Sequence, residues 1–252
     1  MKCLFLDAGH GFGPTGAVDD GAVGMNTTER AEVVALAVQL LPILAALPLR
    51  VIPIGVTERL SLATKVKQVN ACCLQNGWKS GDALLVSLHM NSGAPIARGL
   101  EGWYGTGKAS GRALADILVN TLAETTGLPL RSKPLLPSNL DRLGRLAILD
   151  DTIPTACLLE LGFVTNARDV LAMQARSSFV EGIRDGLLHY IGLPMDFFLD
   201  VPAGSWYHDA VVHGLQSGLF EMPADGLFHP DQNVSRAELA VALDRLSRIL
   251  KP

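Results

Sequence analysis

The chain has 252 residues, 48% of them hydrophobic and 18% charged, with a formal net charge of −4. That length suits one large domain or a medium one with a small companion, and the composition is that of a packed globule rather than a disordered or fibrous chain. The acidic balance, with no basic stripe, excludes nucleic acid as the main partner. The longest apolar stretch, 33–49, is interrupted by Gln39, Pro42 and Pro48, which excludes a membrane span there.

Residues 2–6 read as a short buried strand. The segment Phe5-Leu6-Asp7-Ala8-Gly9-His10-Gly11 then turns at its glycines and displays His10 at the strand's carboxyl end, where ligands and metals sit in open α/β sheets. No apolar leader with a small-residue cleavage site is visible, so the expectation is a protein made in the cytoplasm without a signal peptide. Val33, Val34, Ala37, Leu40, Leu41 and Leu44 recur at helical spacing and predict a helix over 28–47. A β-branched run at 49–54 predicts a strand, and 57–76 a second helix carrying Leu60, Leu62, Val66, Val69 and Leu74. Residues 83–88 form a fully apolar strand leading to His89, 99–104 a further strand, and 110–126 a helix closed by Gly127. Residues 156–160 predict another buried strand and 178–191 a final helix stopped by Gly192-Leu193-Pro194.

This alternation predicts an α/β fold: a mostly parallel twisted sheet with helices on both faces. Composition changes near residue 195, and the chain divides into 1–193 and a small, mainly helical module over 194–252 that ends in a helix at 235–250. Cys3, Cys72, Cys73 and Cys157 lie in apolar segments without a Cys-x-x-Cys and read as reduced core thiols.

Four residues stand at strand ends or a helix start: His10, Glu29, His89 and Glu160. Two imidazoles and a carboxylate, with a fourth position left to water, make a catalytic zinc set. Each residue also has a plainer reading. Glu29 lies three residues after Asn26, the spacing of a capping box. His89 could be a hydrogen-bonded strand-end histidine, and Glu160 a cap or an arginine's partner. Gly11-Phe12-Gly13-Pro14-Thr15-Gly16 matches a dinucleotide fingerprint in letters, but Pro14 stands where a helix should open.

Taken in order, Leu6-Asp7-Ala8-Gly9-His10-Gly11, Asp20-Gly21-Ala22, Thr28-Glu29, Arg59, Asn70-Ala71, Ser87-Leu88-His89-Met90-Asn91-Ser92, Gly99-Leu100-Glu101-Gly102-Trp103-Tyr104 and Leu159-Glu160-Leu161-Gly162-Phe163-Val164-Thr165-Asn166 resemble the motifs of the zinc-dependent N-acetylmuramoyl-L-alanine amidases. The likeness runs from residue 2 to about 191. It implies one Zn²⁺ on His10, Glu29 and His89, which acidifies a bound water toward a pKa of about 7. It implies Glu160 as the base that takes the water's proton and returns it to the leaving amine, and peptidoglycan as substrate, cut between muramic acid and L-alanine. Asn91 is the further substrate contact it implies. Many members carry an arginine shortly before the last strand, where this chain reads Leu146-Ala147-Ile148-Leu149-Asp150, so Arg142 or Arg145 is expected to take that contact. The stretch 125–149 reads as short and loop-like, too short for an inserted helix over the zinc, and an open, constitutively active site is expected.

In the last part, Phe198-Leu199-Asp200-Val201, Trp206-Tyr207, Gly218-Leu219-Phe220, Phe228-His229-Pro230 and Val234-Ser235-Arg236-Ala237-Glu238 resemble a surface-layer homology module. The resemblance implies binding to cell-wall polysaccharide, with Asp200, Trp206 and Arg236 as glycan contacts. In the alternative, Trp206 packs the small core and Arg236 pairs with a carboxylate. A single copy implies either a homo-oligomer, as trimers, or weak binding that localises the enzyme. The reading preferred is an endolysin acting on the wall after release. The alternatives are an exported autolysin, a non-catalytic wall-binding protein, and an unrelated zinc peptidase or deacetylase.

Overall fold

The computed structural model describes residues 1–45, 47, 49–193, 200–201, 205–220 and 228–249. Its strands are β1 (Cys3–Ala8), β2 (Gly11–Phe12), β3 (Val18–Asp19), β4 (Val23–Gly24), β5 (Thr27–Thr28), β6 (Arg50–Ile54), β7 (Ala83–Asn91), β8 (Leu100–Tyr104), β9 (Leu130–Pro137) and β10 (Thr155–Phe163). Its helices are α1 (Glu29–Leu44), α2 (Leu62–Gln75), α3 (Ala109–Thr126), α4 (Ala147–Asp150), α5 (Ala167–Ala175), α6 (Ser177–Ile191), α7 (His208–Gln216) and α8 (Arg236–Ile249).

Six strands form one sheet in the order β6-β1-β7-β10-β8-β9. Every pairing is parallel except β10 with β8, so β8 and β9 run against the other four. This is the mostly parallel α/β sheet expected from the alternation of apolar strands and helices. Strand alternation sends Leu4, Leu6, Leu84, Val86, Leu88, Cys157 and Leu159 to one face, where they form a core with α1, α3 and α6. The opposite face changes character along its length. Cys3, Phe5, Leu85, Ala156 and Leu158 pack with Val69 and Cys73 of α2 and with Ile148 and Leu149 of α4. One step on toward the strand ends, the same positions in the alternation are Asp7, Ser87, His89 and Glu160. A sheet buried on both faces would continue in apolar residues, so this switch marks where the covering stops and chemistry begins.

Three segments differ from the sequence-based expectation. The second helix starts at Leu62, not at 57, because Ser61 caps it by accepting a hydrogen bond from Thr64 N at 3.2 Å. The stretch 125–149 is not loop-like: it holds the end of α3, the edge strand β9 and the short α4. β9 escapes notice because Pro134 and Pro137 sit in it, which an edge strand tolerates and a central one does not. Helix α5 is an element the sequence pattern does not predict; Asn166 caps it, its side chain accepting from Arg168 N and Asp169 N. The four cysteines are free, and burial pushes the Cys3 and Cys73 thiols up to about 12 and about 11. Among the described residues no helix is long and apolar enough to cross a membrane.

Candidate metal centre

β1 ends at Ala8 and leaves His10 on a left-handed backbone, φ 62°. That conformation is uncommon for a residue with a Cβ and needs holding. Arg30, next to Glu29 on the first turn of α1 and buried, does so. Its Nη1 donates to the carbonyls of Gly9 and His10 at 3.1 and 3.2 Å, and its Nη2 to those of Gly55 and Glu58 at 2.8 and 3.2 Å. Gly9 is required by packing: a Cβ there would lie 2.6 Å from Cε1 of His89. Beneath these residues, Lys65 Nζ lies 2.8 Å from Asp7 Oδ1, and Ser87 Oγ donates to Asp7 Oδ2 at 2.6 Å, tying α2, β1 and β7 together in a dry interior.

Glu29 is the first residue of α1. The cap of that helix is Thr28, whose hydroxyl accepts from Ala31 N, so the capping-box reading through Asn26 does not hold; Asn26 sits outside the helix at φ 59°. Freed from that task, the Glu29 carboxylate points at the histidines. Its Oε1 lies 2.9 Å from His10 Nε2 and 2.8 Å from His89 Nδ1, and it accepts from Met90 N; Oε2 accepts from Ala22 N. His10, Glu29 and His89 each bring a ligand atom within 4.8 Å of the others. His10 turns its second nitrogen, Nδ1, to Asp19 at 3.1 Å, the outer carboxylate that orients a metal-binding imidazole. Burial alone would lower the His10 pKa, but bonds to Glu29 and Asp19 outweigh it and raise it. Burial would likewise raise Glu29, yet the two histidines hold its carboxyl below the usual range.

Glu160 lies in register between His89 of β7 and Glu101 of β8. Its Oε2 is enclosed and has no hydrogen-bond partner within the protein. Burial, reinforced by the charges of Glu29 and Glu101, pushes its pKa well above that of an ordinary carboxyl. A carboxyl in this state, beside two histidines and a carboxylate that can hold a divalent ion, is equipped to take and return a proton. Such a set is chemically suited to metal-assisted hydrolysis.

The fold does not bring every expected contact together. Asn91 stands at the end of β7 with its Nδ2 3.5 Å from Glu101 Oε1, close to Glu160. Arg142 and Arg145 lie at the other end of the sheet. Arg145 pairs with Asp151 just before β10 begins, and Glu160 is five residues into that strand, about 17 Å away. The expected substrate contact by either arginine is therefore not supported by this geometry. The arginine beside Glu101 is Arg131 on β9, a strand that the sequence pattern does not announce. In the C-terminal part, Asp200 accepts backbone bonds from Phe228 and His229. Trp206 is 94% exposed and stacks edge-on with Tyr207, so it does not pack a core. Arg236 opens α8 on the exposed surface, after Ser235 and Glu238 have formed a capping box. The proposed boundary at 193/194 adjoins residues 194–199, which lie outside the described part.

Comparison with known proteins agrees with the site. The family model for N-acetylmuramoyl-L-alanine amidase matches residues 4–189, and that for the S-layer homology domain matches 197–240. The chain belongs to the N-acetylmuramoyl-L-alanine amidase family and carries an S-layer homology domain after its catalytic part. Similar solved structures include the amidase AmiC2 of Nostoc punctiforme (TM-score 0.61, 21% identity, 76% of this chain and 97% of that one). An amidase from Clostridium difficile 630 gives TM-score 0.62 at 22% identity over 76% of this chain and 97% of that one. The catalytic domain of the CD27L endolysin gives 0.58 at 22% identity, covering 75% and 98%. At these identities the structures establish a shared fold. No curated protein matches the chain in sequence comparison.

Proposed function

We propose that the catalytic part is a zinc enzyme hydrolysing the amide between muramic acid and L-alanine of peptidoglycan, held on the wall by the C-terminal domain. One observation carries the mechanism: an enclosed, unpartnered Glu160 oxygen beside the convergent His10, Glu29 and His89. The donor set, two imidazoles and a carboxylate with an outer carboxylate on His10, suits zinc. When bound, zinc supplies polarisation of the scissile carbonyl and water acidified toward neutrality. Glu160, its pKa raised by burial, accepts the proton of the attacking water and delivers it to the departing alanine nitrogen. Met90 N and Ala22 N hold the Glu29 carboxylate in place through the reaction, and Asp19 keeps the His10 ring from turning.

The test is metal analysis with digestion of purified walls, comparing wild type with Glu160→Gln. Retained zinc with activity reduced about 10²–10⁴-fold and release of new alanine amino termini are expected. A fully active variant, or reducing sugars as the product, would refute the reading. The setting of the activity is decided separately. In the lysis-linked role the protein stays inside intact cells and meets the wall after lysis; recovery from the medium of intact cells would make it an exported autolysin. Self-association through the single wall-binding module is read by sedimentation of the full chain.

A further inference from the structure

We propose that Arg131 forms a carboxylate-binding subsite that takes the free α-carboxylate of the stem peptide's second residue. The inference rests on the amidase reading. Five strands deliver side chains to one rim of the sheet in the order His10, His89, Glu160, Glu101, Arg131. Neighbouring strands lie about 4.8 Å apart, so Arg131 stands two strands, roughly 10 Å, beyond Glu160. A peptide extending from the scissile amide advances about 3.5 Å per residue. The carboxylate of its second residue, a glutamate joined onward through its side chain, thus comes within reach of a long arginine.

Charge points the same way. The rim carries three acidic side chains, Glu29, Glu160 and Glu101, and a stem peptide bringing its own carboxylate there needs a cation beside them. Arg30 is buried on backbone carbonyls, Arg59 pairs with Asp20 at 2.7 Å, and Arg98 faces the buried Asp169 at 3.4 Å. Arg131 is ion-paired to Glu101 through Nε alone and keeps the outer edge of its guanidinium for a ligand. Its Nε lies 3.6 Å from Glu101 Oε2, beyond hydrogen-bond distance, and its side chain stays 38% exposed. The Glu101 carboxylate is otherwise engaged by Trp103 Nε1 at 2.9 Å.

Beneath the guanidinium, 5.0 Å from its carbon, lies the ring of Phe163. That ring is there because β10 carries an extra residue between Glu160 and Phe163, a bulge that puts Phe163 opposite Asn91. Asp169 secures the bulge by accepting from Phe163 N at 3.0 Å and Gly99 N at 2.8 Å. A planar fork stacked on a ring and steered by a side carboxylate is pre-set for bidentate carboxylate recognition.

The experiment uses two synthetic muramoyl peptides that differ in one group, the second residue's α-carboxyl being free or amidated. Zinc-loaded wild type and Arg131→Gln are compared in steady-state kinetics. Wild type should favour the free acid by roughly 10- to 100-fold in kcat/KM, carried by KM, and the variant should cleave the two equally. An indifferent wild type overturns the subsite, as does a variant that keeps the preference. Cleavage of neither peptide by wild type overturns the amidase reading and the subsite with it. Should Arg131→Gln not fold, Arg131→Lys retains charge without the fork and should show a reduced preference; an undiminished one counts against the proposal.

Discussion

Replacing Arg30 should damage the metal site without touching a metal ligand. Its guanidinium makes four donations, two from each Nη, at 2.8–3.2 Å to carbonyls of two separate loop segments. Hydrogen bonds to a charged group contribute about 1.5–3 kcal/mol each, and bonds sharing a donor nitrogen do not add fully. Counting one full contribution per Nη, Arg30→Ala should cost about 3–6 kcal/mol, against a typical total stability of about 5–15 kcal/mol. Arg30→Lys, which can serve one pair of carbonyls, should cost about half. Releasing the left-handed His10 should also lower zinc affinity about 10- to 100-fold, the usual range for losing an outer-shell support. Urea unfolding of the metal-free protein and competition against a chromophoric chelator measure the two effects. If Arg30→Lys leaves both the unfolding midpoint and the zinc affinity unchanged, the guanidinium is not what holds His10.

Gly21→Ala places a Cβ 2.5 Å from Glu29 Oε2 at a left-handed backbone (φ 70°), so zinc affinity should fall at least about 10-fold; chelator competition reads it. Lys65→Met strands the buried Asp7 carboxylate and should cost about 3–5 kcal/mol by urea unfolding, whereas Lys65→Met with Asp7→Leu should recover part of the loss. The raised His10 pKa means that, in metal-free protein, its stabilising contact is fully present below about 6.5 and lost as pH rises through the folded value. Zinc must displace that proton, so affinity should climb with pH from 6.5 upward in titration calorimetry. Removing residues 194–252 should preserve cleavage of a soluble muramoyl peptide and abolish most binding to sedimented walls.

Much of the fold was legible because its central strands carry unbroken apolar runs. Residues 83–88 and 156–160 admit few other readings, and the polar residues that end them are the site. His10, Glu29 and His89 stood out for a related reason: the histidines follow predictable strands and Glu29 opens a predictable helix, and the fold brings the three together. What escaped depends on contacts distant in sequence. Strand β9 is an edge strand with two prolines and half-buried side chains, so neither periodicity nor propensity announces it. Arg131 therefore carries no signal in the sequence, whereas Arg142 and Arg145 do, being nearer in sequence to β10, although they lie by the end where that strand begins. Arg30 was equally hidden, since its partners are backbone carbonyls that no motif encodes. The capping-box spacing misled because Thr28, one residue before Glu29, does the capping.

The reversal of direction between β10 and β8 has an evolutionary consequence. In the catalytic half of the rim, His10 and Glu29 follow β1, while His89 and Glu160 lie toward the carboxyl ends of β7 and β10. The half carrying Glu101 and Arg131 is written where β8 and β9 begin, in the connections at 92–99 and 127–129. On the proposed roles, two sets of positions, separate in sequence and adjacent in space, serve bond cleavage and substrate choice. Insertions or replacements in the second set can retune which wall is cut while the first stays intact, so a lineage meeting altered wall chemistry has a place to change without risking the reaction itself.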